Sequence, residues 1–185
     1  MNMSDPGVAR GIRGVRGLLA LVVMAGGLAG CSLLSPFTTC EGTAAALKSL
    51  ERDPVLEARP EGTTELKGFE GLSAECLDDS GDAWMYASRL YVAPVDAGTV
   101  MRFYREAAPE QGWTRRPNRW LLPEEEAGFC FSQQEENGVR ELDVRIMPAR
   151  QAKEMYGYEP PAGPAVETLY TVEVGASVDG TPMEC

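Results

Sequence analysis

The chain of 185 residues contains no histidine. That absence excludes Ser-His-Asp and Cys-His catalysis, histidine metal sites and histidine pH switches. Basic residues are few: 17 Lys and Arg stand against 28 Asp and Glu, a net charge of −11. Nucleic acid is therefore not an expected partner, because phosphates demand a basic patch. Nor is the chain expected to lie flat on an anionic membrane. No Cys-x-x-Cys occurs and the five cysteines are scattered. Zinc needs clustered ligands, so no metal and no other cofactor is expected. Internal repeats are missing too. Beyond residue 30, no run approaches the roughly 20 apolar residues that a membrane-spanning helix needs.

What is present begins at the N-terminus. An export signal has a cationic start, an apolar middle and a small-residue cleavage site. Arg10, Arg13 and Arg16 supply the charge, with Asp5 the only acid before residue 31. Leu18 to Ala25 reads L-L-A-L-V-V-M-A, and Leu28-Ala29-Gly30-Cys31 closes the segment. That tetrapeptide resembles the lipobox of bacterial lipoproteins. The resemblance implies that the Cys31 thiol receives a diacylglyceryl group and that a peptidase cuts between Gly30 and Cys31. A transmembrane anchor fits less well, since Gly17 to Gly30 spans only 14 residues and holds four glycines. Two buried acyl chains, at about 0.8 kcal/mol per CH₂, suffice for stable anchoring. The expected location is the extracytoplasmic face of the cell membrane, with the membrane a partner through the lipid. The three leader arginines include no Arg-Arg pair, which favours export of the unfolded chain.

Cleavage before Cys31 leaves 155 residues, enough for one domain. They carry 14 basic and 27 acidic residues, a net of −13. The expected organisation is a leader at 1–30, a tether at 31–39 and a single extracytoplasmic domain at 40–185. Outside the cytoplasm, Cys40, Cys76, Cys130 and Cys185 read as two disulfides, with three pairings open.

The rest of the chain reads as α+β. Thr43 to Glu51 is a short N-terminal helix stopped by Pro54, and Thr63 to Phe69 a candidate strand. The turn at 78–82 leads into a strand over Ala83 to Val92. Trp84, Tyr86, Leu90 and Val92 share one of its faces; Met85, Ala87, Arg89 and Tyr91 share the other. Asp96 is placed to cap a helix whose stripe is Val100, Phe103, Tyr104 and Ala107, ended by Pro109 and Gly112. Strands follow at 113–115, 120–122, 129–133, 140–147 and 169–176. Glu136-Asn137-Gly138 supplies a hairpin turn. Leu142, Val144 and Ile146 alternate with Glu141, Asp143 and Arg145, the pattern of a strand with one wet face. Pro148 to Pro164 reads as a mobile loop. The sum is an antiparallel sheet of about five or six strands with one main helix packed on it. The stretch V-x-x-F-Y-R-x-x-x-x-x-x-G-W, Val100 to Trp113, resembles one in small actinobacterial secreted lipoproteins. The resemblance implies a helix, a glycine and a tryptophan-led strand, and no active site.

Candidate chemistry is sparse. Acidic clusters at Asp78/Asp79/Asp82, Glu124/Glu125/Glu126 and Glu135/Glu136 fall in turns, where acids are usually solvated. Asp78, Ser80 and Asp82 open like a calcium loop, but Gly81, Ala83 and Arg89 break the pattern. Arg115, Arg116 and Arg119, between Trp113 and Trp120, form the one basic cluster after residue 30. They are candidates to meet an envelope protein, lipid headgroups or a wall polymer. Trp84, Tyr86, Phe129 and Phe131 join the two tryptophans as aromatics able to line a groove or fill the core. The expected function is a non-enzymatic binding or accessory module on the membrane. The alternative is a small carboxylate-based envelope hydrolase, which would need two acids about 5–10 Å apart across a cleft.

Overall fold

The aromatic run after the 78–82 turn builds the longest strand. In the computed structural model, which describes residues 38–79, 81–117, 128–161 and 166–183, that strand is β3, Asp82–Ala93. Its alternation places Ala83, Met85, Ala87, Tyr91 and Ala93 on one buried face. Trp84, Tyr86 and Ser88 stand half-buried on the other. One edge of β3 pairs with both β1 (Thr64–Glu65) and β2 (Ser73–Asp79). The other edge pairs with β7 (Thr168–Ser177) along its whole length. From β7 the sheet continues through β6 (Gly138–Ile146) and β5 (Phe129–Glu135) to β4 (Thr114–Arg115). Every pairing is antiparallel.

The class is thus α+β, with seven strands and three α-helices among the described residues. The sheet is larger than five or six strands because β2, which was not expected and takes in Asp78 and Asp79 from the expected turn, pairs with β3 along seven positions. Candidate strand 63–69 pairs only at Thr64–Glu65, and candidate strand 120–122 lies outside the described residues. Helix α1 (Ala44–Leu50) and helix α2 (Ala97–Glu110) both pack on the Tyr91 face. Asp96 caps α2: its Oδ1 accepts the Thr99 amide at 2.8 Å. Val100, Met101, Tyr104 and Ala108 are its buried residues, and the helix runs one residue past Pro109.

The expectation of one main helix over a loop at 148–164 is corrected. Helix α3 (Ala149–Tyr156) occupies that stretch and packs on the opposite face of the sheet. Its apolar stripe, Ala149, Ala152 and Tyr156, is short and mostly alanine, and only Ala152 of it is buried. Its signal is at the ends, where Pro148 precedes it and Gly157 closes it at φ +64, a conformation glycine adopts without strain.

Three fully buried tyrosines tie the main core to the turn after α1. The Tyr91 hydroxyl donates to the Leu56 carbonyl at 2.7 Å, and that of Tyr104 donates to the Ala58 carbonyl. Tyr170 stacks against both, with ring centroids 5.6 and 6.0 Å away. Burial pushes the Tyr170 phenol up to about 12 and that of Tyr104 further, so all three remain neutral. Asp53 and Arg140 add a buried ion pair, with Arg140 also 2.8 Å from Glu135 and 5.8 Å from the centre of the Trp113 ring.

Cys40 and Cys76 form a disulfide that joins the residues before α1 to β2 across 36 positions. Cross-links of this kind contribute roughly 2–4 kcal/mol, mainly by restricting the unfolded chain. Cys130 is disulfide-bonded as well. Arg116 brings residues 181–183 close to it: its amide donates to the Cys130 carbonyl at 2.9 Å and its guanidinium to the Met183 carbonyl at 3.1 Å. Peptide mapping without reduction is expected to recover Cys40 linked to Cys76 and Cys130 linked to Cys185. A Cys130 peptide joined to Cys40 or Cys76 contradicts this arrangement.

Candidate functional site

The Tyr91 face of the sheet is filled by its helices; the Trp84 face is not. On that second face, Leu66, Leu90, Met147 and Leu169 form a small cluster with Ala152 of α3. The remainder stays open as a groove. Its floor carries Trp84 and Tyr86 from β3, Glu173 and Gly175 from β7, and Asp143 and Arg145 from β6. Register sets their order. Asp143 stands directly opposite Glu173, and Glu173 opposite Ser88; Glu141 stands opposite Gly175, and Gly175 opposite Tyr86. Directly opposed residues in an antiparallel pair have Cβ atoms about 4.5–5.5 Å apart.

Two cavities occupy the groove, of about 570 and 520 Å³, and they share Trp84, Arg145 and Glu173. Such volumes fall within the range of small-molecule sites. The first is walled by residues 181–183. Gly175 makes room for that wall, since a Cβ there would lie 2.8 Å from the Met183 methyl. Asp179 holds the preceding turn: its Oδ1 accepts from Ser177 Oγ at 2.6 Å and from the Thr181 hydroxyl and amide at 2.7 and 2.9 Å. Those hydrogen bonds hold its carboxyl down to about 2. The second cavity is walled by α3 residues Gln151, Met155 and Tyr156 and by Phe69, which meets Tyr156 edge-on at 5.1 Å.

The electrostatics are lopsided. Asp82, Glu141, Asp143, Glu173 and Asp179 line the first cavity with Arg145 the only cation among its lining residues. Glu141 was expected on a wet face, yet it is only 3% exposed, because Arg116 folds over it as an ion pair. Desolvation is the leading reason that the carboxyls of Glu141, Asp143 and Glu173 all sit above their ordinary values. Arg116 and Arg145 oppose the rise at Glu141 and Asp143; at Glu173 the negative charge of Asp143 adds to it.

The sequence-derived candidates scatter. Arg115 lies over the Phe129 ring at 4.9 Å, toward the main core, whereas Arg116 reaches the groove side. Arg119, Trp120, Cys31 and Cys185 lie outside the described residues, as do Glu124 to Glu126. Trp113, Phe129 and Phe131 are core residues, while Trp84 and Tyr86 are on the groove floor. Asp78 and Asp82 flank the β2–β3 connection, and no group of three or more acidic or cysteine side chains is placed to hold a metal ion among the described residues. The Asp143/Glu173 pair was missed by sequence reading. Asp143 read as an ordinary wet-face residue and Glu173 drew no reading, and only the β6–β7 register brings the two together. No known family matches the chain, and no curated protein or solved structure matches it.

A carboxyl whose folded-state value is raised supports the fold while protonated, and that support is lost as pH rises through the raised value. Glu173→Gln is therefore expected to raise the melting temperature at neutral pH. The gain should vanish below about pH 4, where the carboxyl is protonated in the unfolded chain too. Melting curves across that pH range check it; a variant less stable at neutral pH contradicts the assignment.

Proposed function

We propose that this protein is a membrane-anchored envelope lipoprotein that acts as a binding module through the open face of its sheet. The observation that carries the binding role is the groove itself: a strand face bearing Trp84 and Tyr86 beside Asp143 and Glu173, walled at both ends and left uncovered. A face needed only for folding would gain from apolar residues under a helix, as at Leu90 and Leu169 beneath α3. Charged groups held half out of water on such a face favour an interaction role. The anchor rests on Leu28-Ala29-Gly30-Cys31 and its preceding apolar run. It agrees with the Cys40–Cys76 disulfide, which suits an oxidising compartment, and with the finding that no helix among the described residues is long and apolar enough to cross a membrane.

The alternative of a carboxylate hydrolase draws on the Asp143/Glu173 pair. Glycoside hydrolysis by two carboxyls needs them on either side of the scissile bond. Here both rise from adjacent strands of one floor, side by side, and Arg145 holds Asp143. That geometry fits holding a ligand better than cleaving one.

Cys31→Ser tests the anchor. The variant is expected to lose labelling by a palmitate analogue and to keep residues 1–30, while the parent chain is labelled and begins at Cys31. Continued labelling of the serine variant overturns the lipid assignment without touching the groove.

A further inference from the structure

The groove has two chemical halves, and their relative placement constrains what fits. Its floor is crossed by three neighbouring strands, β3, β7 and β6. The β3 side offers the aromatic surfaces of Trp84 and Tyr86; the β7 and β6 side offers Glu173 and Asp143. Tyr86 sits opposite Gly175, which has no side chain to stand between it and the acids. Beyond them, the floor runs under Met155 and Tyr156 of α3, whose apolar surfaces share that end with Gln151 and with Arg89, itself paired to Glu57 and Glu65. Acids dominate the first cavity, against one arginine.

Resting on the reading of this face as a binding surface, we propose that the groove takes a small organic cation with an apolar body. The positive group would sit between Glu173, Asp143 and the aromatic rings, and the apolar body would extend toward Met155 and Tyr156. Each half has a physical reason. A desolvated ammonium gains from aromatic faces because their quadrupoles present negative charge. Carboxylates that burial has made costly to ionise gain when a cation neutralises them. An anion would meet the same carboxylates as repulsion. Arg145 already spans part of this space as the internal cation, paired with Asp143 and 55% exposed at its side chain. A ligand cation therefore competes with it.

That competition makes the test specific. Titration calorimetry of the full chain with benzyltrimethylammonium is compared with benzenesulfonate, of similar size and opposite charge, and with tetramethylammonium, which lacks the apolar body. The aromatic cation is expected to bind, the anion not to, and tetramethylammonium to bind about tenfold more weakly. Glu173→Gln and Trp84→Leu are each expected to weaken the aromatic cation about tenfold. Arg145→Met is expected to tighten it, a direction that general damage to the fold does not produce. Benzenesulfonate binding that Trp84→Leu abolishes would keep the groove as a binding surface and overturn the cation class. No binding by any probe, or affinity for the aromatic cation unmoved by Glu173→Gln and Arg145→Met, overturns the proposal outright, and neither result bears on lipid attachment at Cys31.

Discussion

The ladder between β3 and β7 is the constraint on which the rest depends. It runs from Trp84 opposite Ser177 to Ala93 opposite Thr168 without a break. Side chains alternate with a period of two, so this one register decides which residues meet the helices and which meet water. Tyr91, Tyr170, Val172 and Val174 go inward together, where three helical or turn segments close over them. Trp84, Tyr86 and Glu173 must then go outward together. A slip of one residue would send the tyrosine cluster into water and the carboxylates into the core. Neither the groove nor the core is set separately.

The outward face is covered only in part. Where Leu90, Met147 and Leu169 lie, α3 settles on them, and its polar sequence suffices because little area needs covering. Toward β6 the same face turns acidic, and no helix among the described residues packs there. Asp143 beside Glu173 places like charges directly across from one another, an arrangement that costs stability. Arg145 offsets it incompletely: desolvation still prevails at Asp143, and at Glu173 the charge of Asp143 adds to desolvation. A sequence under no demand but folding would replace one of the acids. Keeping both on a walled, aromatic-edged floor is the physical basis for reading the face as functional.

Much of the scaffold was legible beforehand, for reasons tied to particular residues. Asp96 announces α2 because a carboxylate before an apolar stripe satisfies otherwise unpaired amides. Glu136-Asn137 turns between β5 and β6 because the two flanking runs alternate in phase. Tyr170, Val172 and Val174 mark β7 in the same way. Helix α3 was overlooked because its amphipathic pattern spans only eight residues, rests on alanines and is set among the prolines and glycines of 148–164. The groove was hidden more deeply. Trp84 and Tyr86 were visible as a shared face, but their acidic neighbours come from strands some 55 to 90 positions later, and pairing partners are not written in local pattern. Arg115 and Arg116 show the converse: adjacency in sequence suggested one basic patch, while strand alternation sends them to opposite sides.

The central claim is that Asp143 and Glu173 are held together, partly desolvated, on the open side of the β6–β7 pair. Carbon-detected NMR titration of their carboxyl groups reads this directly. The account predicts that both protonate above the values of about 3.9 and 4.3 usual for aspartate and glutamate, with Glu173 moving when Asp143 is changed to Asn. Ordinary or depressed values at both, indifferent to each other, would contradict it.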